Sequence, residues 1–142
     1  MSRRFLWVMM ALAFLGFLDA TYLAIEHLRG VVPPCTVLSG CEVVTTSNYA
    51  TVLGMPVALM GSFYYAAILI ALMGVHTTGR ARLLLWIARA TALGFAASVY
   101  FVTIQLFVLD AVCVYCMGSA LTSTLLFACG MHLLRQKRIL LS

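Results

Sequence analysis

The chain has 142 residues, of which 64% are hydrophobic and 9% are charged, and its formal net charge is +5. A soluble domain is usually about 45–50% apolar and about 25% charged, so this chain has too few polar side chains to cover a water-soluble fold. The composition excludes a soluble enzyme, a disordered tail and a multidomain protein. Because a membrane-spanning helix needs about 20 apolar residues, we expect one all-α domain, a bundle of four transmembrane helices with one substantial loop.

The first predicted span follows two arginines, and this order of positive charges and then an apolar run is also typical of a secretory signal peptide. Cleavage after Ala20 would require a small residue where Leu18 stands, so we expect a retained helix. The next stretch is polar, and Pro56 suits the first turn of a second helix. We therefore predict helices at about residues 5–28, 56–75, 83–109 and 111–134, with a long loop at about 29–55.

The basic residues indicate how the spans are oriented. A nucleic-acid-binding protein would gather them on one basic face, so we expect no nucleic-acid partner. Positive charges beside spans instead mark the cytoplasmic side of a cell membrane. This rule predicts cytoplasmic termini and a cytoplasmic 76–82 turn, with the 29–55 loop and the turn around Asp110 on the extracytoplasmic side. The clustered charges are Arg3, Arg4, Arg80, Arg82, Arg135, Lys137 and Arg138.

Four of the five cysteines fall on the predicted extracytoplasmic side, in two pairs. Cys35 and Cys41 bracket five residues of the long loop, and Cys113 and Cys116 form a CxxC motif where the fourth helix begins. The outer compartment is oxidising, so disulfides can persist there. Cys129 lies about halfway along the fourth helix, where a lone buried cysteine usually packs as a small apolar residue.

The CxxC spacing favours redox chemistry. A helix start would place both sulfurs near one face, with Asp110 as the N-cap. The free amides and the helix dipole at that end lower a thiol pKa. A structural bridge gains more by closing a long loop. Two alternatives stay open at this point: purely structural disulfides, and a zinc site built from all four cysteines.

The loop pair extends this interpretation. A CxxC motif half-buried at a membrane surface is hard for a bulky protein to reach, whereas a loop dithiol can meet a soluble partner and exchange with the buried pair. Two pairs in series would therefore form an electron relay. Inside the membrane, the natural two-electron partner of a dithiol is a lipid-soluble quinone.

Taken together, these features resemble the vitamin K epoxide reductase family of membrane oxidoreductases, over nearly the whole chain. The resemblance rests on the four helices, the long outer loop with Cys35, Cys41 and then Ser47, and the CxxC motif at the top of the fourth helix. The stretches Leu-Asp-Ala-Thr-Tyr-Leu at 18–23 and Gly-Met-Pro-Val-Ala-Leu-Met-Gly at 54–61 resemble the bacterial branch.

The resemblance implies a role for each paired cysteine. Cys41 would form a mixed disulfide with a thioredoxin-fold partner, and Cys35 would pass electrons on by attacking Cys113. Cys116 would be the thiolate next to the ring of a quinone, such as a ubiquinone or a menaquinone. Ser47 matches the loop hydroxyl associated with the family's site. We expect no metal in this chemistry.

Two departures from the family pattern shape the expected substrate and partner. Vertebrate members contact a naphthoquinone through a Tyr four residues after the CxxC motif and an Asn early in the second helix, positions that are Ala120 and Val57 here. We therefore expect quinone reduction coupled to disulfide formation, rather than reduction of vitamin K epoxide. Bacterial members commonly carry a fifth helix and a fused thioredoxin-like domain, so we expect a separate partner protein for this chain.

Two other functions compete with this interpretation. A quinone-linked disulfide generator of the DsbB-like type also has four helices and two cysteine pairs, but carries its CxxC motif in the first outer loop. A tetraspan structural protein would use the cysteines as structural disulfides. Inside the spans, Asp19 is expected to hydrogen-bond to neighbouring helices or to supply protons. The tyrosines that could line a quinone site are Tyr64, Tyr65, Tyr100 and Tyr115.

Overall fold

Four long helices dominate the computed structural model, which describes residues 3–32 and 41–141, with side chains omitted at 41, 42, 45 and 137–141. Each of the four is long and apolar enough to cross a membrane. The expected all-α membrane fold is therefore confirmed. In chain order, the helices are α1 (Arg3–Leu28), the short α2 (Cys41–Thr46), α3 (Val57–Thr78), α4 (Ala81–Thr103) and α5 (Val114–Leu141).

A small hairpin connects α2 to α3. A 3-10 turn (Asn48–Ala50) leads into two antiparallel two-residue strands, β1 (Thr51–Val52) and β2 (Met55–Pro56). The two residues between the strands, 53 and 54, have φ of 54° and 79°. Positive φ at both central residues is the geometry of the tightest hairpin turns. The hairpin brings the chain directly to the first residue of α3.

The connection between α3 and α4 is a short turn around Gly79. This residue has φ of 64°, and its N–H donates to the Val75 carbonyl at 2.9 Å. A left-handed glycine that closes the last helical turn is a common helix end. Because α4 begins at Ala81, the two helices run antiparallel.

The connection between α4 and α5 differs from the expectation. The last turns of α4 continue as a π-helical segment (Ile104–Val108), and α5 begins at Val114 rather than near 111. Asp110 has φ of 47°, which interrupts a helix. The expected N-cap role of Asp110 is therefore wrong, because Cys113 directly precedes α5. At its other end, α5 extends to Leu141, past the apolar run that set the expected end near 134.

The four long helices form a closed ring in cross-section. α1 packs against α3 and α5, and α4 packs against the other sides of α3 and α5. The end of α1, the start of α3, the end of α4 and the start of α5 meet at one end of the bundle, which we call the loop end. The long loop and the CxxC motif consequently lie at the same end.

The half of the bundle away from the loop end is solidly packed. Met9, Leu72 and Leu126 there have no exposed surface. Tyr65 lies where this core meets the loop-end half of the bundle. Its ring lies directly on the backbone of Gly16, where a Cβ atom would overlap it. Large apolar side chains cover the outside of the bundle, as expected for contact with lipid; they include Trp7, Phe63, Ile70, Trp86, Leu93 and Phe107.

Substituting Gly16→Ala should destabilise the bundle, because the added methyl group would overlap the Tyr65 ring between α1 and α3. Overpacking of this kind typically costs about 1–3 kcal/mol. Gly118→Ala is the matched control, since a Cβ there meets nothing within 4 Å. Thermal unfolding in detergent should show a lower midpoint for Gly16→Ala than for the wild type. Gly118→Ala should have the midpoint of the wild type. Equal midpoints for both variants would contradict this account of the α1–α3 contact.

Candidate active site

A cavity of about 390 Å³ occupies the loop-end half of the bundle. All four long helices and the segment from α2 to β2 contribute to its wall. Most of the lining is apolar, and the volume lies within the range of about 300–1,000 Å³ found for small-molecule sites. The polar and sulfur-bearing side chains in the wall include Ser47, Tyr64, Tyr65, Ser98, Gln105, Cys116, Ser119 and Ser123.

The structure brings four of the residues predicted from the sequence to this cavity. Cys116, Ser47, Val57 and Ala120 all line it. Cys113 lies beside Cys116 but outside the lining. Of the loop pair, Cys35 falls outside the described residues, and Cys41 is placed as the first residue of α2 without a described side chain.

The two sulfurs of the CxxC motif interact directly. Cys113 is completely buried, and a hydrogen bond from the Cys116 side chain lowers the pKa of the Cys113 thiol from 9.0 to about 7. Burial opposes this shift, and the backbone amides of Cys116 and Tyr115 reinforce it. These amides belong to the first turn of α5, where free N–H groups favour a negative charge. The thiolate of the reduced pair is therefore favoured on Cys113.

The short helix α2 covers Cys113. Val44 of α2 packs on the sulfur-bearing side chain, together with Leu109, Ala111 and Tyr115. Just beyond α2, the hydroxyl of Ser47 donates to the Val44 carbonyl at 2.8 Å. The helix that begins with Cys41 thus lies against the CxxC motif. Cys113 faces this cover, whereas Cys116 faces the cavity.

Gln105 is a site residue that the sequence interpretation missed. Its side-chain oxygen accepts a hydrogen bond from the Cys113 N–H at 3.1 Å, and its own carbonyl accepts one from the Ala111 N–H at 3.0 Å. It is only 3% exposed and lies in the π-helical segment, a feature often found at functional sites. The available signal was an amide side chain within an apolar run close to the CxxC motif.

Of the tyrosines proposed from the sequence, Tyr64 and Tyr65 line the cavity. Tyr100 is 57% exposed and does not line it. Tyr115 packs against Tyr22 of α1, with ring centroids 5.4 Å apart. Two tyrosines of α3 therefore contribute aromatic hydroxyls to the wall, and Tyr49 of the 3-10 turn, which the sequence interpretation did not single out, contributes a third.

Asp19 and Cys129 lie away from the cavity wall. The buried Oδ2 atom of Asp19 has no hydrogen-bond partner within the described ranges, so the expected bond to a neighbouring helix is not formed by this atom. Cys129 is half-buried and packs against the bundle core. Within residues 3–32 and 41–141, no group of three His, Cys, Asp or Glu side chains could hold a metal ion. The four-cysteine zinc alternative is not tested by this, because Cys35 lies outside those ranges.

Two comparisons with known proteins bear on this site. The sequence model described as "Vitamin K epoxide reductase family" matches residues 7–131. This range covers most of the chain, including α3, α4, most of the first and last spanning helices, and both cysteine pairs. A search of curated proteins found no match.

The low pKa of Cys113 can be measured by thiolate ultraviolet absorbance in a Cys35→Ala, Cys41→Ala, Cys129→Ala background. The thiol ionises as pH rises through its pKa, so the first thiolate should form with a midpoint near pH 7. Adding Cys116→Ala removes the hydrogen-bond donor and should raise the pKa of Cys113 towards 9.0. Adding Gln105→Met should also raise it, because the turn that presents Cys113 to the α5 amides loses its anchor.

Thr103→Val is the control for Gln105→Met, since the exposed Thr103 hydroxyl donates within its own helix, to the Val99 carbonyl. It should leave the midpoint where it is. A midpoint near pH 9 before Cys116 is replaced, or no change after replacement, would contradict the assignment of the thiolate to Cys113.

Proposed function

The chain belongs to the vitamin K epoxide reductase family and is a membrane thiol-disulfide oxidoreductase, and we propose that it passes electrons from a thioredoxin-fold partner through two cysteine pairs to a membrane quinone. The relay would run from Cys41 and Cys35 to Cys113 and Cys116, and its net result would be disulfide formation in the partner. One observation carries this proposal: the CxxC motif has one sulfur under the loop and the other on an apolar cavity between membrane helices.

The cavity residues fit a quinone. The wall is mostly apolar, as a ring carried in the lipid phase requires, and it contains two buried hydroxyl oxygens without partners in the described part of the chain, on Tyr64 and Ser123. A bound quinone would supply an acceptor for two electrons and two protons. Cys116 would be next to the ring, with Ser47, Val57 and Ala120 in the surrounding wall.

In the first exchange, the Cys35 thiolate would attack the Cys113 sulfur of a Cys113–Cys116 disulfide. The Cys113–Cys116 bond breaks, a Cys35–Cys113 bond forms, and Cys116 is released as a thiolate beside the cavity. Because Cys113 has no exposed surface, Val44 must move aside for this attack. Opening of α2 would therefore accompany each transfer.

In the second exchange, the Cys41 thiolate would attack Cys35, forming the loop disulfide and expelling Cys113. A thiol with a lowered pKa is a better leaving group, and once Cys116 takes up a proton, its hydrogen bond and the backbone amides of α5 would give Cys113 this property. Both CxxC sulfurs are then reduced. Their return to a disulfide would yield two electrons for the quinone, and the two protons that the quinone takes up would balance those released when the partner's dithiol is oxidised.

The positive charges at both chain termini and in the turn at 76–82 support a cytoplasmic location for those segments. We infer from this that the loop end, with both cysteine pairs, faces the extracytoplasmic side. An oxidising compartment on that side suits a relay that removes electrons from thiols as they form disulfides.

The electron route predicts different effects of the cysteines on quinone reduction. With a small dithiol as donor and duroquinone as acceptor, anaerobic stopped-flow absorbance should show that Cys113→Ala and Cys116→Ala abolish turnover. Cys35→Ala and Cys41→Ala should retain most of it, because a small dithiol can reduce the CxxC pair at Cys116, which lines the cavity, without the loop pair. Cys129→Ala, which alters a core contact only, is the control. Full activity in both CxxC variants would refute the proposed route.

The partner and the orientation can be tested together by expressing a Cys35→Ala variant in intact cells. Without Cys35, no loop thiol can resolve a mixed disulfide at Cys41, so this species should accumulate relative to the wild type. We expect non-reducing gels and mass spectrometry to identify a thioredoxin-fold protein of the extracytoplasmic compartment. A Cys35→Ala, Cys41→Ala variant should trap nothing. A cytoplasmic protein trapped specifically through Cys41 would reverse the proposed orientation.

A further inference from the structure

Two hydroxyl groups without hydrogen-bond partners lie in the wall of the cavity. Tyr64 of α3 and Ser123 of α5 both line it, and neither hydroxyl oxygen has a partner among residues 3–32 and 41–141. Ser123 is only 2% exposed. The two oxygens lie close together without meeting the geometry of a hydrogen bond. Buried polar groups are nearly always satisfied, so this pair calls for an explanation.

Ser123 lacks the partner that a helix normally offers. Serine and threonine hydroxyls in helices commonly donate to the carbonyl four residues earlier, and its sequence neighbours Thr122 and Thr124 do so at 2.9 and 2.8 Å. For Ser123 this carbonyl belongs to Ser119, and it already accepts the Tyr65 hydroxyl at 2.8 Å. With the helical amide bond added, both lone pairs of that oxygen are engaged.

Tyr64 is held in place by the close approach of α4. Its hydroxyl end lies directly on Gly94, where a Cβ atom would overlap it. Its ring also makes an edge-to-face contact with Tyr65, at a centroid distance of 5.0 Å. The hydroxyl is therefore fixed near Ser123 by packing from α4 and α3, and not by a hydrogen bond of its own.

We propose that Tyr64 and Ser123 bind the ring oxygen of the quinone that lies farther from Cys116. The inference rests on the proposed function and adds the residues that recognise the ligand. Cys116 and Ser123 are seven residues apart on α5, about 10.5 Å along its axis, which leaves room for one ring between the sulfur and the hydroxyl. Val57 and Ala120 in the same wall are apolar and offer a ring oxygen no hydrogen bond, whereas the hydroxyls of Tyr64 and Ser123 can donate one.

The chemistry of the pair suits both redox forms of the ring. The hydroxyl groups can donate to a carbonyl oxygen of the oxidised ring, and they can accept from a hydroxyl of the reduced ring. A ligand with an oxygen at that end is therefore preferred over an apolar lipid chain, which would leave both hydroxyls unsatisfied. This would select quinones from the surrounding lipid.

Isothermal titration calorimetry with duroquinone tests this assignment on the oxidised protein in detergent, where no turnover occurs. The only polar atoms of duroquinone are its two ring oxygens. Tyr64→Phe and Ser123→Ala should each raise its Kd about fivefold, the effect expected for one neutral hydrogen bond. Both variants should raise KM for duroquinone more than they lower kcat. Tyr100→Phe and Thr124→Val, whose hydroxyls lie outside the cavity wall, should leave Kd unchanged.

The outcomes separate this inference from the proposed function. If wild-type protein binds and reduces duroquinone while Tyr64→Phe and Ser123→Ala keep its Kd, the hydroxyls do not recognise the ring and the inference is wrong. If wild-type protein neither binds nor reduces duroquinone, the proposed function fails instead. Unfolding midpoints close to that of the wild type would show that a raised Kd reflects lost binding and not a damaged fold.

Discussion

The hydrogen bond between the Gln105 side chain and the Cys113 amide is the contact on which the site depends. The chain must reverse direction between α4 and α5 at the edge of the apolar layer, where unsatisfied backbone groups are costly. Gln105 serves two of these groups at once, Cys113 through its side chain and Ala111 through its carbonyl. The turn therefore closes with Cys113 beside Cys116, whose side-chain hydrogen bond lowers the pKa of the Cys113 thiol, and the backbone amides of α5 reinforce that shift.

Tyr65 separates the two halves of the bundle. On one side its ring rests on Gly16 and the solid core below, and on the other its hydroxyl ties α3 to α5 at Ser119. The packed core closes the cavity at the end away from the loops and holds the four helices apart around it. The same hydroxyl occupies the carbonyl that Ser123 would otherwise use. Tyr65 thereby packs against the solid half of the bundle and also leaves the Ser123 hydroxyl without its usual acceptor in the cavity half.

The general fold could be predicted from the sequence because lipid imposes simple rules. Four apolar runs and the basic residues beside them define four spans, and the fold follows from these. The start of α5 could not be predicted in this way. Asp110 is a good N-cap by residue type, but the turn needs it at positive φ, and the helix begins only after Cys113.

CxxC spacing predicts a reactive sulfur pair locally, without knowledge of neighbouring helices, but it does not predict the groups that support the pair. Gln105 is eight residues from the amide that it binds, across an irregular turn, so no periodic pattern relates the two. Ser123 looks like its threonine neighbours in the sequence, and only the contact from Tyr65 on another helix distinguishes it.

The packing of Val44 over Cys113 has a consequence for selectivity among thiols. A sulfur with no exposed surface cannot be approached by glutathione or another small reductant while α2 is seated. The cover therefore protects Cys113, whereas Cys116 lines the cavity and can still be reached there by a small dithiol. In the proposed relay, Cys35 has an advantage over a free thiol at Cys113, because the chain joins it to the loop helix that must move.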